Sequence, residues 1–113
     1  MANPAHLKIL GQGVDAWNEW RRAYPKIWHP DVSKANLAGV QLDGANLEGA
    51  NLSGANLVGA VLAGAELYEA NLDGADLCGA DLSLVDLTEA TLREANLRDG
   101  NLVRAYLFGA ELS

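Results

Sequence analysis

The sequence has little of several residue types, and each shortage excludes a class of protein. It has one cysteine, Cys78, so no intrachain disulfide framework can form and a reducing compartment is expected. Aromatic residues make up only 6% of the chain, too few for an ordinary globular core. No apolar stretch approaches the roughly 18 residues of a membrane-spanning helix, and no secretory signal pattern opens the chain. We therefore expect a cytoplasmic protein that does not associate with membranes.

Basic residues and histidines are also scarce. The chain has 8 Lys and Arg against 15 Asp and Glu, a net charge of −7, so we expect no direct binding of nucleic acid. The two histidines, His6 and His29, lie outside the repeats described below, and a catalytic triad or a histidine-based metal site lacks the residues it needs. We expect no catalytic, cofactor-binding or metal-binding residue, and hence no enzyme.

A short internal repeat makes up most of the chain. From residue 37 onward leucine occupies every fifth position, sixteen times without interruption. Alanine stands two residues before the leucine in thirteen of these sixteen repeats, asparagine or aspartate commonly stands directly before it, and glycine is commonest two residues after it. An internal repeat of this regularity determines the fold. The repeated leucines are the predicted core: Leu37, Leu42, Leu47, Leu52, Leu57, Leu62, Leu67, Leu72, Leu77, Leu82, Leu87, Leu92, Leu97, Leu102, Leu107 and Leu112.

A five-residue period is incompatible with a helix or a flat strand. In an α-helix five residues advance by a net rotation of about 140°, so successive leucines would scatter around the cylinder. In a strand an odd spacing sends successive leucines to opposite faces. The chain must instead bend once per repeat, so that each leucine and the alanine two residues before it point inward. Coils of this kind bury a continuous core only when they stack.

The run ANLEGANLSGANL from Ala45 to Leu57 resembles the pentapeptide-repeat proteins, whose motif is A(N/D)LXX. The resemblance covers residues 35–113. It implies an all-β solenoid, a right-handed quadrilateral parallel β-helix with four repeats in each of about four coils, in which residues twenty apart stack. It also favours a bacterial source, and a cyanobacterial one in particular, since cyanobacteria are rich in proteins of this family.

Residues 1–34 form a separate segment with a different composition. This segment holds all three tryptophans, and Val14, Trp17, Trp20 and Tyr24 recur at helical spacing, which predicts an amphipathic helix of about ten residues. Its Trp-Asn-Glu-Trp-Arg run is similar to a leader found in many bacterial members of the family. We interpret the segment as an N-terminal helical cap that covers the first coil. The alternative is a tryptophan cluster that binds a partner or a ligand.

Stacking at twenty-residue intervals gathers the aromatic residues of the repeats on one side. There Tyr68, Tyr106 and Phe108 lie among carboxylates that include Glu48 and Glu66. Two interpretations stay open. The side chains stiffen the coil by cross-strand stacking, or they form a recognition patch, because aromatic residues rimmed by charge mark interfaces.

The expected function is a non-catalytic protein-interaction or structural module that presents rigid acidic faces to an unknown protein partner. A rod with flat sides has no pocket for a small substrate. The alternative, implied by the resemblance, is a mimic of duplex DNA that binds a type II topoisomerase or another DNA-binding protein. Residues 35–113 carry twelve acidic and three basic residues, a net charge of −9, in keeping with mimicry. The short rod, its uniform leucines and the absence of a projecting loop favour the first expectation.

The last repeats raise the question of self-association. Leu97, Leu102, Leu107 and Leu112 would leave a coil uncovered at that end, which is an aggregation hazard. One expectation is a homodimer through the C-terminal coil, which would bury the same surface of both chains. The others are a monomer blunted by the charged residues of that coil and a segment of a longer chain.

Overall fold

Two helices precede the repeats in the structure, a computed structural model that describes residues 2–112. Helix α1 spans Pro4–Leu10. Asn3 caps its N-terminus, since Oδ1 accepts a hydrogen bond from the N–H of Ala5 at 2.9 Å, and a proline in the first turn has no N–H to satisfy. The patterns above do not predict this helix, because a segment of 7 residues is too short to show a helical period.

Helix α2 spans Val14–Ala23, 10 residues, where the spacing of the tryptophans places a helix. Trp17 is fully buried, and Val14 and Trp20 are half-buried. Tyr24 directly follows the helix and is 56% exposed, so it does not belong to the buried side of α2. The four predicted cap residues therefore contribute unequally to the contact with the repeats.

Beyond the helices the chain winds into a solenoid. Thirteen parallel bridges join residues that are twenty positions apart, from Asp31 with Asn51 to Thr91 with Glu111. Since the repeat is five residues long, each coil contains four repeats and has four sides. Every bridge is isolated, so the sheets are columns of single paired residues separated by turns, and extended strands do not form within residues 2–112.

The four columns of bridged residues define four faces of the solenoid, named A to D in chain order. The end next to the helices is called the top. The two residues that follow each leucine are assigned to the face of the bridged residue that precedes it. The columns are Asp31, Asn51, Asn71, Thr91 and Glu111 for face A; Asn36, Asn56, Asp76 and Asn96 for face B; Gln41, Val61, Asp81 and Asn101 for face C; and Asn46, Glu66, Asp86 and Tyr106 for face D.

Leucines and alanines of the repeats form the core. Every repeat leucine from residue 37 to residue 92 is buried. Toward the bottom the burial decreases: Leu97 and Leu102 are half-buried, and Leu107 and Leu112 are 38% and 52% exposed. Because each fully buried leucine side chain contributes about 1.5–3 kcal/mol, the inward leucines are the main source of stability.

Two devices turn the chain between neighbouring repeats, and the second operates only where asparagine or aspartate precedes the leucine. The leucine carbonyl accepts a hydrogen bond from the N–H three residues on, as between Leu57 and Ala60 at 2.9 Å, and the residue before that N–H has the positive φ that a type II turn requires. The asparagine or aspartate before the leucine accepts from the N–H two residues on, as between Asp76 and Cys78 at 3.1 Å. Glycine and asparagine or aspartate recur in the sequence because these turns need them.

Gly49 and Gly59 form a matched pair for testing how residues 2–30, here called the head, contact the first coil. Both have a φ of +68°, which costs an alanine about 1–2 kcal/mol. A Cβ at Gly59 would meet nothing within 4 Å, whereas a Cβ at Gly49 would lie 2.6 Å from the carbonyl oxygen of Trp28. We expect Gly49→Ala to lower the free energy of unfolding by about 2 kcal/mol more than Gly59→Ala, measured by urea denaturation. Equal losses would mean that the Trp28 segment does not pack on the first coil.

Candidate interaction face

Helix α2 covers the top of face D with side chains that act in place of a further coil. Within the solenoid the carbonyls of this face accept hydrogen bonds from backbone N–H groups of the coil above. At the top, Trp17 Nε1 donates to the carbonyl of Asn46 at 2.6 Å. Arg21 Nη2 donates to the carbonyl of Glu48 at 2.9 Å. The N–H of Asn46 donates to Asn18 Oδ1 at 2.7 Å, so both kinds of backbone group at this edge are satisfied.

The four faces differ in how they carry charge. Arg93, Arg98 and Arg104, the three basic residues after residue 34, lie on faces A, B and C respectively. Face D has none of them, although it carries more carboxylates than any other face. Those carboxylates are Glu48, Glu66, Glu69, Asp86 and Glu89. The uncompensated negative charge of the repeats is therefore concentrated on face D.

Face A stacks opposite charges on neighbouring coils, whereas face D stacks like charges. On face A, Arg93 pairs with Asp73 on the coil above at 3.5 Å and with Glu111 on the coil below. On face D, Glu66 is bridged to Asp86, so two carboxylates follow each other at the coil spacing of about 4.8 Å. Like charges directly opposite each other destabilise a sheet. Within residues 2–112, face D has no ion pair to offset this repulsion.

Two pKa shifts have their causes on face D. Burial raises the pKa of Glu48, and the charge of Glu66 raises it further, against the opposing attraction of Arg21. The charge of Glu69 raises the pKa of the Tyr68 phenol. A neighbouring carboxylate is the main cause of the Tyr68 shift and a secondary cause of the Glu48 shift, so face D has a negative potential that would attract a positively charged partner.

The raised pKa of Glu48 predicts a pH-dependent effect of Glu48→Gln. Because the pKa of the folded state lies above that of the unfolded state, the charged carboxylate opposes folding at neutral pH, and this penalty is absent below the unfolded pKa. We expect Glu48→Gln to raise the Tm by about 2 °C at pH 7 and to leave it unchanged near pH 3. Glu94→Gln, on the exposed surface of face A, is the control and should have no effect at either pH. A rise of equal size at both pH values would contradict the assignment.

Face D also departs from the residues that the turns prefer. Glu66 occupies the position at which asparagine or aspartate caps the N–H two residues on, and the N–H of Tyr68 has no hydrogen-bond partner among residues 2–112. Glu69 and Glu89 hold φ values of 57° and 62° where most repeats have glycine. The same positive φ occurs at Glu94, Asp99 and Arg104 on the other faces, so it does not by itself distinguish face D.

The structure places all five residues of the predicted recognition patch on face D. Glu48 and Tyr68 are half-buried, Glu66 is exposed, and Tyr106 and Phe108 are 63% and 80% exposed. Every close pair of aromatic rings in the described chain lies in the head, among residues 6–29. Stacking of rings on one another therefore does not explain why aromatic residues stand on this face.

Two exposed apolar side chains beside face D are absent from the predicted patch. Leu84, 53% exposed, stands at the corner between faces C and D with a φ of 58°. Val103, 63% exposed, lies on the coil below, and its carbonyl accepts a hydrogen bond from the N–H of Leu84 at 2.9 Å. The sequence could have indicated Leu84, because leucine stands there at a repeat position where glycine is commonest.

Other parts of the described surface have few groups that could bind a ligand or a metal ion. A groove of about 380 Å³ lies between α1 and the first coil, and Lys34 is the one charged residue among those that line it. Within residues 2–112 no group of three His, Cys, Asp or Glu side chains could hold a metal ion. Neither described helix has the length and apolar character needed to cross a membrane.

Comparison with known proteins agrees with this geometry. The sequence pattern of the Pentapeptide repeats family matches residues 45–83 and 86–113 in 8 copies. The chain belongs to the pentapeptide-repeat family. This confirms the resemblance drawn from the sequence, and the two residues between the matched stretches are Leu84 and Val85. Among curated proteins, no significant match to this pentapeptide-repeat protein is found.

Several solved structures are similar to this pentapeptide-repeat protein. A pentapeptide repeat protein from Nostoc PCC 7120 is 33% identical, with a TM-score of 0.65, and the match covers 88% of this chain and 95% of that chain. One from the thylakoid lumen of Arabidopsis thaliana is 32% identical, with a TM-score of 0.42, covering 74% and 61%. HetL from Nostoc sp. strain PCC 7120, a pentapeptide repeat protein involved in heterocyst differentiation regulation, is 35% identical, with a TM-score of 0.36, covering 73% and 46%.

Proposed function

We propose that this pentapeptide-repeat protein is a non-catalytic binding module whose recognition surface is face D. Proteins of this family are repeat proteins without enzymatic activity. The observation that carries the proposal is a column of like-charged carboxylates beside exposed aromatic rings, with no basic residue of the repeats on that face. Folding gains nothing from this arrangement. A protein that brings positive charge and apolar surface relieves the repulsion and covers the rings.

The scaffold suits this role because face D is held from above and below. The N–H of Glu66 donates to the carbonyl of Ala45 on the coil above at 2.9 Å, and the N–H of Leu67 donates to the carbonyl of Asp86 on the coil below at 2.8 Å. The side chains of the face therefore project from a backbone that is already ordered before a partner arrives. A preorganised surface loses less conformational entropy on binding than a mobile one.

The test compares two variants that remove the same number of charges. The face D variant is Glu66→Gln, Glu69→Gln and Glu89→Gln. The control is Asp43→Asn, Glu94→Gln and Asp99→Asn, three exposed carboxylates on faces C, A and B. Immobilised protein is incubated with extract of the source organism, and captured proteins are quantified by mass spectrometry.

We expect the wild type and the control to capture the same protein and the face D variant to lose it. Equal capture by all three would show that face D is not the recognition surface. A wild type that captures nothing would overturn the binding module itself.

A second candidate is mimicry of duplex DNA toward a type II topoisomerase or another DNA-binding protein. The net charge of −9 on residues 35–113 supports it. The described chain is 32 Å along its longest axis, equivalent to about nine base pairs. More than half of the net negative charge of the repeats lies on one face, whereas a duplex carries two phosphate backbones. Inhibition of topoisomerase supercoiling by the wild type, lost in the face D variant, would favour mimicry over the first candidate.

We also propose a homodimer through the C-terminal coil. Leu107 and Leu112 are 38% and 52% exposed there, and a twofold contact would bury them in both chains. Sedimentation at micromolar concentration is expected to give the mass of a dimer, and Leu107→Lys should return it to a monomer. A monomer mass at every concentration would contradict this proposal.

We propose three further properties of this protein. The coils are right-handed and square in cross-section. The protein is cytoplasmic and does not bind nucleic acid or membranes directly, which a gel-shift assay with duplex DNA and sedimentation with anionic vesicles would test. Its source is bacterial and cyanobacterial, which the similar proteins from Nostoc support.

A further inference from the structure

We infer that face D and its corner with face C bind an amphipathic helix of another protein, with lysine and arginine on one side and apolar residues on the other. The inference rests on the proposed function and names the kind of partner. Two independent features meet at this corner: a ridge of exposed apolar side chains and a set of carboxylates without counter-charges.

The apolar feature, here called the corner ridge, consists of Leu84, Val103, Tyr106 and Phe108. Their exposed fractions are 53%, 63%, 63% and 80%. The N–H of Leu84 donates to the carbonyl of Val103 on the coil below at 2.9 Å. Tyr106 and Phe108 follow on the adjoining face D, where Tyr106 is bridged to Asp86. Large apolar side chains exposed on neighbouring coils mark an interaction surface.

Leu84 is the most specific part of this signal because its backbone conformation disfavours leucine. Its φ is 58°, in the left-handed region where glycine is more stable than leucine, and Gly64 holds the same position one coil above. More than half of the Leu84 side chain is exposed, so packing within the chain does not offset the strain. A strained and exposed leucine points to a contact with another molecule.

Carboxylates flank the corner ridge on the side of face D. Arg104 stands directly below Leu84 at the same corner, but Glu69, Asp86 and Glu89 form no ion pair with it or with any other basic residue among residues 2–112. A metal ion is not the fitting counter-charge, since no group of three ligating side chains in the described chain could hold one. Lysine and arginine side chains fit better, because their charged ends reach carboxylates while their apolar stems cover neighbouring hydrophobic surface.

The backbone of face D favours a helix over an added strand. The backbone at Asp86 is paired with both neighbouring coils: the N–H of Asp86 donates to the carbonyl of Ala65 on the coil above at 3.0 Å, and the N–H of Tyr106 on the coil below donates to the carbonyl of Val85 at 2.8 Å. This part of the face has no free strand edge for an extended peptide. Side chains at i and i+3 or i+4 of a helix are about 5–6 Å apart, close to the coil spacing of about 4.8 Å. A helix along the solenoid axis therefore matches one basic side chain to each coil.

The helix belongs to another protein and not to a second copy of this chain. The amphipathic helix available here is α2, and its Trp17 is fully buried and bonded through Nε1 to the carbonyl of Asn46. Helix α1 has 7 residues and buries Leu10. Both helices of the described chain thus use their apolar sides within their own chain.

The probe is a fluorescent peptide of about 18 residues with leucine on one side of the helix and lysine on the other. Fluorescence anisotropy with the wild-type protein is expected to show saturable binding that weakens as salt is raised. Two matched peptides serve as controls, one with glutamate in place of lysine and one with the same composition in scrambled order. Both are expected to bind at least about tenfold more weakly.

Leu84→Gly tests the role of the corner ridge in binding without destabilising the fold. Glycine suits a φ of 58°, so the Tm is expected not to fall, while affinity for the lysine peptide falls about tenfold. Val58→Ala removes an exposed apolar side chain from face B and should leave the affinity unchanged. Glu69→Gln together with Glu89→Gln should weaken binding and reduce its dependence on salt.

Equal affinity for the lysine and scrambled peptides, or for the wild type and Leu84→Gly, would overturn the inference. Capture of proteins from an extract of the source organism distinguishes failure of this inference from failure of the proposed function. A partner captured equally by the wild type and Leu84→Gly leaves the binding module standing and refutes the corner ridge. Self-association that Leu84→Gly abolishes in sedimentation would assign the ridge to a second copy and also overturn the inference.

Discussion

Replacing Leu77 by aspartate is expected to prevent folding. Leu77 is fully buried, and the register of the coils places it between Leu57 and Leu97 in the core. An unpartnered carboxylate at such a position costs several kcal/mol, against a total stability of about 5–15 kcal/mol for a typical domain. Circular dichroism should show no cooperative thermal transition for Leu77→Asp.

Two substitutions in the same repeat control for this result. Leu77→Ala leaves a cavity and should lower the free energy of unfolding by about 2–5 kcal/mol while keeping a cooperative transition. Cys78→Asp introduces the same charge one residue later, at a half-buried position on face B, and should melt close to the wild type. Leu77→Asp that melts like Cys78→Asp would show that the repeat leucines do not point inward.

Removing residues 1–30 is expected to turn the protein into an aggregating species. The deletion takes away Trp17 and Arg21, and so leaves the carbonyls of Asn46 and Glu48 without their partners at the top edge. It also uncovers the leucines of the first coil. An open edge above an apolar core is a template for association between chains. Size-exclusion chromatography with light scattering should show oligomers or loss of soluble protein.

Tyr24→Ser is the matched control for the cap. Tyr24 belongs to the predicted cap set but is 56% exposed, so this variant should remain monodisperse to the same extent as the wild type. The emission of the tryptophans should be blue-shifted in the folded protein because Trp17 is fully buried. A soluble truncation with the wild-type Tm would show that the head does not protect the first coil.

The coil and its inward residues can be predicted from the sequence because one simple constraint produces them. A leucine every five residues can be buried only if the chain bends once per repeat. The resemblance to the family predicts four repeats per coil, and the bridges observed between residues twenty apart agree with that number. The same offset predicts from the sequence alone that Tyr68, Tyr106 and Phe108 share one face.

The rest could not be predicted because it depends on contacts between segments with no shared period. Nothing in the spacing of Trp17 and Arg21 shows that their side chains bond to backbone carbonyls some thirty residues away. Helix α1 is too short to show a period. Leu84 looks like one irregular repeat until its φ of 58°, its exposure and its neighbour Val103 are seen together.

Face D and the corner ridge exist only if residues twenty apart are neighbours, and a cross-link to the native thiol tests this most directly. Val58 and Cys78 share an outward column of face B, and the N–H of Gly59 donates to the carbonyl of Cys78 at 2.9 Å. Adjacent coils lie about 4.8 Å apart, within the Cα separation that a disulfide spans. Under mild oxidation Val58→Cys is expected to form an intrachain disulfide, detected by intact mass and loss of free thiol, whereas Ala63→Cys on face C should keep both thiols. Two free thiols in Val58→Cys, or a cross-link of equal yield in Ala63→Cys, would contradict the account.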